Sequence, residues 1–240
     1  MTPQKTEEES ITISYLALRK AVGIIGLGVP TILALTGMIF LKGGIEPSIS
    51  HFYYTSMGDF FVGSLCAIGV FLISYRGYKP QYDEKFSDRT LGWITGAAAI
   101  AVALFPTDPL CVSDTGQALL ACPVSNLAKI HFTSAAVFLF GLGVFSFFKF
   151  PRYDPDIGLS TVKAGRVKYY RACGIAIFVS LVAIALLKLY VRQTQNDFPL
   201  PNWMFWFESI AVVAFGISWL IKGESIETVK TLLGRTPPST

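Results

Sequence analysis

Trp203-Met204-Phe205-Trp206-Phe207-Glu208-Ser209-Ile210-Ala211-Val212-Val213-Ala214-Phe215-Gly216-Ile217-Ser218-Trp219-Leu220-Ile221 decides the class of fold. The stretch is apolar apart from two serines and one carboxylate, Glu208. A helix of about 20 such residues crosses a hydrocarbon core about 30 Å thick. Five stretches of the same kind lie upstream, at 15–41, 57–75, 90–106, 127–148 and 172–190. In a chain of 240 residues they leave only short connections, too little for a separate soluble domain. The composition agrees: 52% of residues are apolar and 15% charged, where a soluble domain carries about 25% charged residues. The expected fold is all-α, a polytopic transmembrane bundle of six helices.

Charge placement gives the expected orientation. Of the 20 lysines and arginines, sixteen fall in the N-terminal segment, the second and fourth connections and the C-terminal tail. The opposite side holds four: Lys42, Lys129, Lys188 and Arg192. Basic residues resist translocation, so both termini are expected to be cytoplasmic, as an even number of spans requires. Residues 1–14 read as a disordered cytoplasmic N-terminus, 15–222 as the transmembrane domain and 223–240 as a cytoplasmic tail. The first span is too long for the apolar core of a cleavable signal and reads as a signal anchor. No basic cluster is interleaved with aromatic residues, so no nucleic-acid partner is expected.

Four cysteines are present. Cys66 and Cys173 fall inside spans and read as small apolar filler. Cys111 and Cys122 fall in the third connection, on the outer side. A disulfide between them is expected if that side is oxidising, closing a short loop for about 3 kcal/mol; a reducing compartment would leave two thiols. The many glycines within spans, among them Gly23, Gly26, Gly92, Gly96, Gly141 and Gly143, suit close helix packing.

In lipid a polar side chain needs a partner or a wet cavity. The titratable residues of the spans gather at their outer ends: Asp59, Asp108, His131, Lys188 and Glu208, with His51 in the first outer connection. Ser134 lies one turn beyond His131, and Tyr54 closes the Ser48–Tyr54 run. The inner halves read as almost free of charge. One outward-facing pocket lined by His51, Asp59, Asp108, His131 and Glu208 is therefore expected, with Tyr54, Ser134 and Lys188 as further ligand-binding groups.

Several chemistries are compatible with that set. His51, His131 and Glu208 would make a zinc site with one open position, with Asp59 or Asp108 as general base. Neither H-x-x-x-H nor H-E-x-x-H spacing occurs to support it. A serine hydrolase of the nucleophile-elbow type would need G-x-S-x-G, which is absent, leaving Ser48, Ser50 and Ser134 as candidates by proximity alone. The alternatives are a proton- or ion-coupled transporter, which needs polar groups through to the inner half, and a non-catalytic membrane scaffold. The expected partners are membrane lipids and a lipid-like or amphipathic ligand, with self-association left open.

Three segments carry a resemblance. They are Ser50-His51-Phe52-Tyr53-Tyr54-Thr55 with Met57-Gly58-Asp59-Phe60-Phe61-Val62-Gly63, Phe105-Pro106-Thr107-Asp108, and the run from Glu208 through Gly223. Together they resemble bacterial multi-pass membrane proteins grouped only as domains of unknown function, which implies a bacterial inner membrane. A remoter likeness is to the ceramidase/adiponectin-receptor superfamily of membrane hydrolases, which place serine, aspartate and histidines around zinc near one membrane face. Those proteins have seven spans and three zinc histidines; this chain has two histidines in all, and no catalytic role carries over.

Overall fold

The computed structural model describes residues 3–41, 44–75, 77, 86–108, 124–152, 161–194 and 199–223. Among them the six apolar stretches fold as six α-helices: α1 (Pro3–Phe40), α2 (Gly58–Ser74), α3 (Asp88–Leu104), α4 (Asn126–Val144), α5 (Thr161–Thr194) and α6 (Trp203–Lys222). Ala17–Phe40, Asn126–Lys149, Gly165–Thr194 and Trp203–Lys222 are long and apolar enough to cross a membrane. Helices α2 and α3 have 17 residues each, about 25 Å at 1.5 Å per residue. Helix α1 begins at Pro3, so most of the segment expected to be disordered is helical. Extending a formed helix adds one hydrogen bond per residue fixed, and the run Glu7-Glu8-Glu9 consists of good helix formers. Cys111, Cys122 and the tail beyond Gly223 lie outside the described residues.

Each helix packs antiparallel against the next, and α6 closes the ring against α1. One end of the bundle carries the histidines, where α1, α3 and α5 finish and α2, α4 and α6 begin. The other is the basic end. Helix α6 is the most enclosed of the four long apolar segments, with 56% of its most apolar window buried against 22% for α5. Large apolar side chains such as Ile24, Phe40, Phe140, Val179 and Leu186 face outward around the ring, as lipid contact requires.

Glycine sets two of the helix crossings, as the sequence suggested. A Cβ on Gly96 would lie 2.5 Å from the Gly69 carbonyl oxygen, so α2 and α3 touch backbone to backbone. A Cβ on Gly216 would lie 2.9 Å from both the Gly23 carbonyl oxygen and the Leu27 nitrogen, which seats α6 on α1. Such approach gives van der Waals contact in a medium where apolar burial supplies no drive between helices.

Two short irregular helices complete the fold. Ile49–Tyr54 is a 3₁₀ helix in the α1–α2 connection, and α4 ends in a π-turn over Phe145–Lys149. Serines cap three elements. Ser48 Oγ accepts from the His51 N–H, Ser87 Oγ from Thr90 N–H and Ser125 Oγ from Ala128 N–H, each answering a donor that a helix start leaves open.

Replacing Gly96 by leucine should force α2 and α3 apart and cost about 1–3 kcal/mol. At Gly63, inside α2, no atom lies within 4 Å of an added Cβ, so Gly63→Ala should cost nothing in packing and stabilise by up to about 1 kcal/mol through helix propensity. Unfolding midpoints in mixed micelles measure both.

Candidate functional site

The segment from Gly44 to Met57 folds over the histidine end, and the polar residues of that end hold it there. Three hydrogen bonds come from the start of α6. Asn202 Nδ2 donates to the Ile45 carbonyl (2.9 Å), the Phe205 N–H to the Pro47 carbonyl (3.0 Å), and Glu208 Oε2 accepts from the Ile49 N–H (2.7 Å). Asn202 supplies its contact from a left-handed backbone conformation (φ 54°), which asparagine tolerates better than most residues. Phe52, fully buried, anchors the segment in the core beside Phe205. On the far side Tyr54 donates its hydroxyl hydrogen to the Thr107 carbonyl.

His131 lies in the first turns of α4 and is 2% exposed. Its Nδ1 is 2.7 Å from the Phe105 carbonyl oxygen and its Nε2 2.9 Å from Ser50 Oγ. A carbonyl oxygen only accepts, so in the neutral ring Nδ1 carries the proton and Nε2 accepts from the Ser50 hydroxyl. His51 places Nδ1 2.7 Å from Ser48 Oγ. Burial first, then the charges of Lys188 and His131, push the His51 pKa down to about 4. Lys188 Nζ sits 3.3 Å from the centre of the Phe132 ring, a cation–π contact, and lies within electrostatic reach of Glu208.

Beneath Ile49 and Ser50 is a cavity of about 40 Å³. A buried water needs about 10–15 Å³ measured this way, so there is room for about three. The walls are apolar, from Val29, Phe61, Ile68, Val102, Leu139 and Val212 among others, and the polar groups at the rim are Ser50 and Glu208.

Of the expected set only Glu208 lines this cavity, with Ser50 beside it. His131 reaches the cavity through its hydrogen bond to Ser50, and His51 and Lys188 lie behind it. Asp59 is exposed in the first turn of α2. Asp108 Oδ2 accepts from the Ser125 N–H at 2.9 Å, tying the end of α3 to the cap of α4. Neither borders the cavity, so neither stands where a general base would be needed. Ser134 and Tyr54 also lie off its wall. The zinc set of His51, His131 and Glu208 is corrected as well: among the described residues no three His, Cys, Asp or Glu side chains are grouped to hold a metal ion. Both ring nitrogens of His131 already face the Phe105 carbonyl and Ser50, and Glu208 Oε2 faces the Ile49 N–H.

The basic end holds a polar cluster that the reading of charge-free inner halves missed. Asp88 is 2% exposed and pairs with Lys149 (3.4 Å) and Arg152 (3.7 Å), and Lys149 also donates to the Phe86 carbonyl. Lys222 donates to the Phe150 carbonyl, and the Arg19 guanidinium lies over the Tyr75 ring. Above these groups Tyr75, Phe145, Phe150 and Trp219 form a buried aromatic layer. The sequence signal was present in Ser87-Asp88, an N-cap followed by an acid in the first turn. By their placement Lys149 and Arg152 read equally as topology markers or as contacts for anionic head groups.

Compared with family models, curated proteins and solved structures, the chain matches none.

The His51 shift has a definite pH consequence. With a folded pKa of about 4 against an ordinary value of about 6.5, the unfolded chain takes up the proton first as pH falls. Stability contributed by neutral His51 is complete above pH ~6.5 and is lost toward pH ~4, by up to roughly 3 kcal/mol. Thermal midpoints in detergent should fall between pH 7 and pH 5 in the parent and fall less in His51→Gln.

Proposed function

We propose that this chain is a six-span protein of a bacterial inner membrane, with both termini cytoplasmic, that seats the polar end of a lipid-like or amphipathic ligand at the cavity of its outer, histidine end. The lining of the cavity carries the reading: apolar walls suit the first few carbons of such a ligand, and Ser50 and Glu208 suit one polar group beside them, the rest of the chain lying outside. Six spans follow if α2 and α3 cross along with the four longer helices, their shortfall of a few ångströms being met by local thinning of the bilayer. The sixteen-to-four charge bias supports the orientation. The bacterial membrane rests on the resemblance of the Ser50–Gly63 and Glu208–Gly223 segments. A permease needs a polar path to the other side, and the aromatic layer of Tyr75, Phe145, Phe150 and Trp219 weighs against one within a single chain.

Two experiments test this. A diazirine-bearing fatty alcohol, photolysed with the detergent-purified chain, should label peptides containing Leu139 and Val212. Ala135→Trp, which fills the cavity, should lower that labelling at least tenfold; labelling spread evenly over the outer faces of the helices would reject the site. Alkaline phosphatase joined within 109–123 should be active, and joined within 153–160 inactive. The reverse pattern would turn the protein over.

A further inference from the structure

Ser50 and His131 have more to offer than an anchor for the segment over the histidine end. Serine chemistry needs a hydroxyl, a base that can take its proton, a third group that holds the base in the right tautomer, and room at the hydroxyl for the reacting atom. All four are present. Nε2 of His131 is 2.9 Å from Ser50 Oγ, and the Phe105 carbonyl, 2.7 Å from Nδ1, leaves Nε2 free of a proton in the neutral ring. Ser50 borders the cavity rather than solid packing. A purely structural hydrogen bond would gain nothing from empty space beside it. The turn that presents Ser50 is held on both sides, by Glu208 on the Ile49 N–H and by Ser48 capping the His51 N–H. That positioning is the kind a nucleophile needs.

We propose that Ser50 and His131 are the nucleophile and general base of a membrane esterase acting on amphipathic carboxylic esters. The inference rests on the ligand reading above and names its substrate class. Ser50 Oγ bonds to the acyl carbon as its proton passes to His131 Nε2, and the carbonyl electron pair moves onto oxygen. When that pair returns, the bond to the leaving alcohol breaks and the alcohol oxygen takes the proton from Nε2, leaving an acyl-serine. Water from the cavity then attacks the acyl carbon and yields a proton to Nε2. Collapse breaks the Ser50 Oγ–acyl bond, Oγ recovers the proton and the carboxylic acid departs. The net reaction is ester plus water giving acid plus alcohol, with no redox change.

The test uses decyl fluorophosphonate on the full-length purified chain. Attack by Oγ forms an O–P bond and expels fluoride, so the adduct reports nucleophilicity directly. The expected result in the parent is one adduct, mapped by mass spectrometry to Ser50. Ser50→Ala should carry none, and labelling of Ser50 in His131→Gln should slow at least 100-fold, the scale of general-base assistance. The parent result does not depend on how any variant folds, and photolabelling by the fatty alcohol reports whether each variant keeps its site. Parent protein that takes the photolabel but no phosphonate at Ser50 overturns the esterase and leaves the ligand site standing. An adduct elsewhere, or an unchanged rate in His131→Gln, also overturns it. Loss of the photolabel in the parent rejects the ligand site itself.

Discussion

Irregular backbone packed away from water must have its polar groups answered by protein, because apolar packing offers neither donor nor acceptor. The segment from Gly44 to Met57 is the place where this chain meets that constraint, and much of the histidine end is arranged around it. Glu208, Asn202 and the Phe205 N–H reach the segment from α6, and His131 reaches it from α4. Each bond to a neutral group adds about 0.5–1.5 kcal/mol, and the bond to a carboxylate more. Leaving any of these buried groups without its partner would cost more than the bond contributes. The same tethering brings Ser50 to the base and to the cavity, so structural and chemical demands fall on the same atoms.

The basic end solves a different problem. There Asp88 is buried with Lys149 and Arg152, and stems and rings cover the charges. A buried pair is a weak source of net stability, but removing one member strands a charge and is strongly unfavourable. Such contacts select one arrangement of helix ends over others of similar packing. Arg19 on Tyr75 and Lys222 on the Phe150 carbonyl extend the lock from α1 to α2 and from α6 to the end of α4. One end of the bundle therefore encloses a cavity, while the other is closed by aromatic packing and ion pairs.

The sequence was most legible where one physical term dominates. Hydrophobic runs locate the six α-helices of the described residues, and Gly23, Gly26 and Gly96 at the α1–α6 and α2–α3 crossings are readable as packing residues. His131, Lys188 and Glu208 stand out because charge in a span is costly wherever it occurs, and His51 because it sits in the outer connection beside them. What could not be read was pairing. His131 and Ser50 are 81 residues apart, and no local spacing marks them as partners. Glu208 reads as the deepest of the carboxylates, but nothing local separates the partners of Asp59 and Asp108: Asp108 meets a neighbouring loop amide and Asp59 faces outward. The inner cluster was hidden for a related reason: a lysine at a span end has the same signature whether it reaches head groups or turns inward to an aspartate.

The π-turn at the end of α4 has a consequence for how this fold tolerates change. A π-turn is an α-helix carrying one residue too many, and the wider turn absorbs the excess. Beyond it Lys149 meets Asp88 and Phe150 joins the aromatic layer. Deleting a single residue from Phe145–Lys149 would let the backbone rewind into a regular helix with the following side chains still turned toward the same partners, whereas the same deletion in the regular part of α4 would swing them by about 100°. A residue lost at this point is thus a change of length rather than of side-chain partner. The end of α4 behaves as a register buffer for the whole basic end.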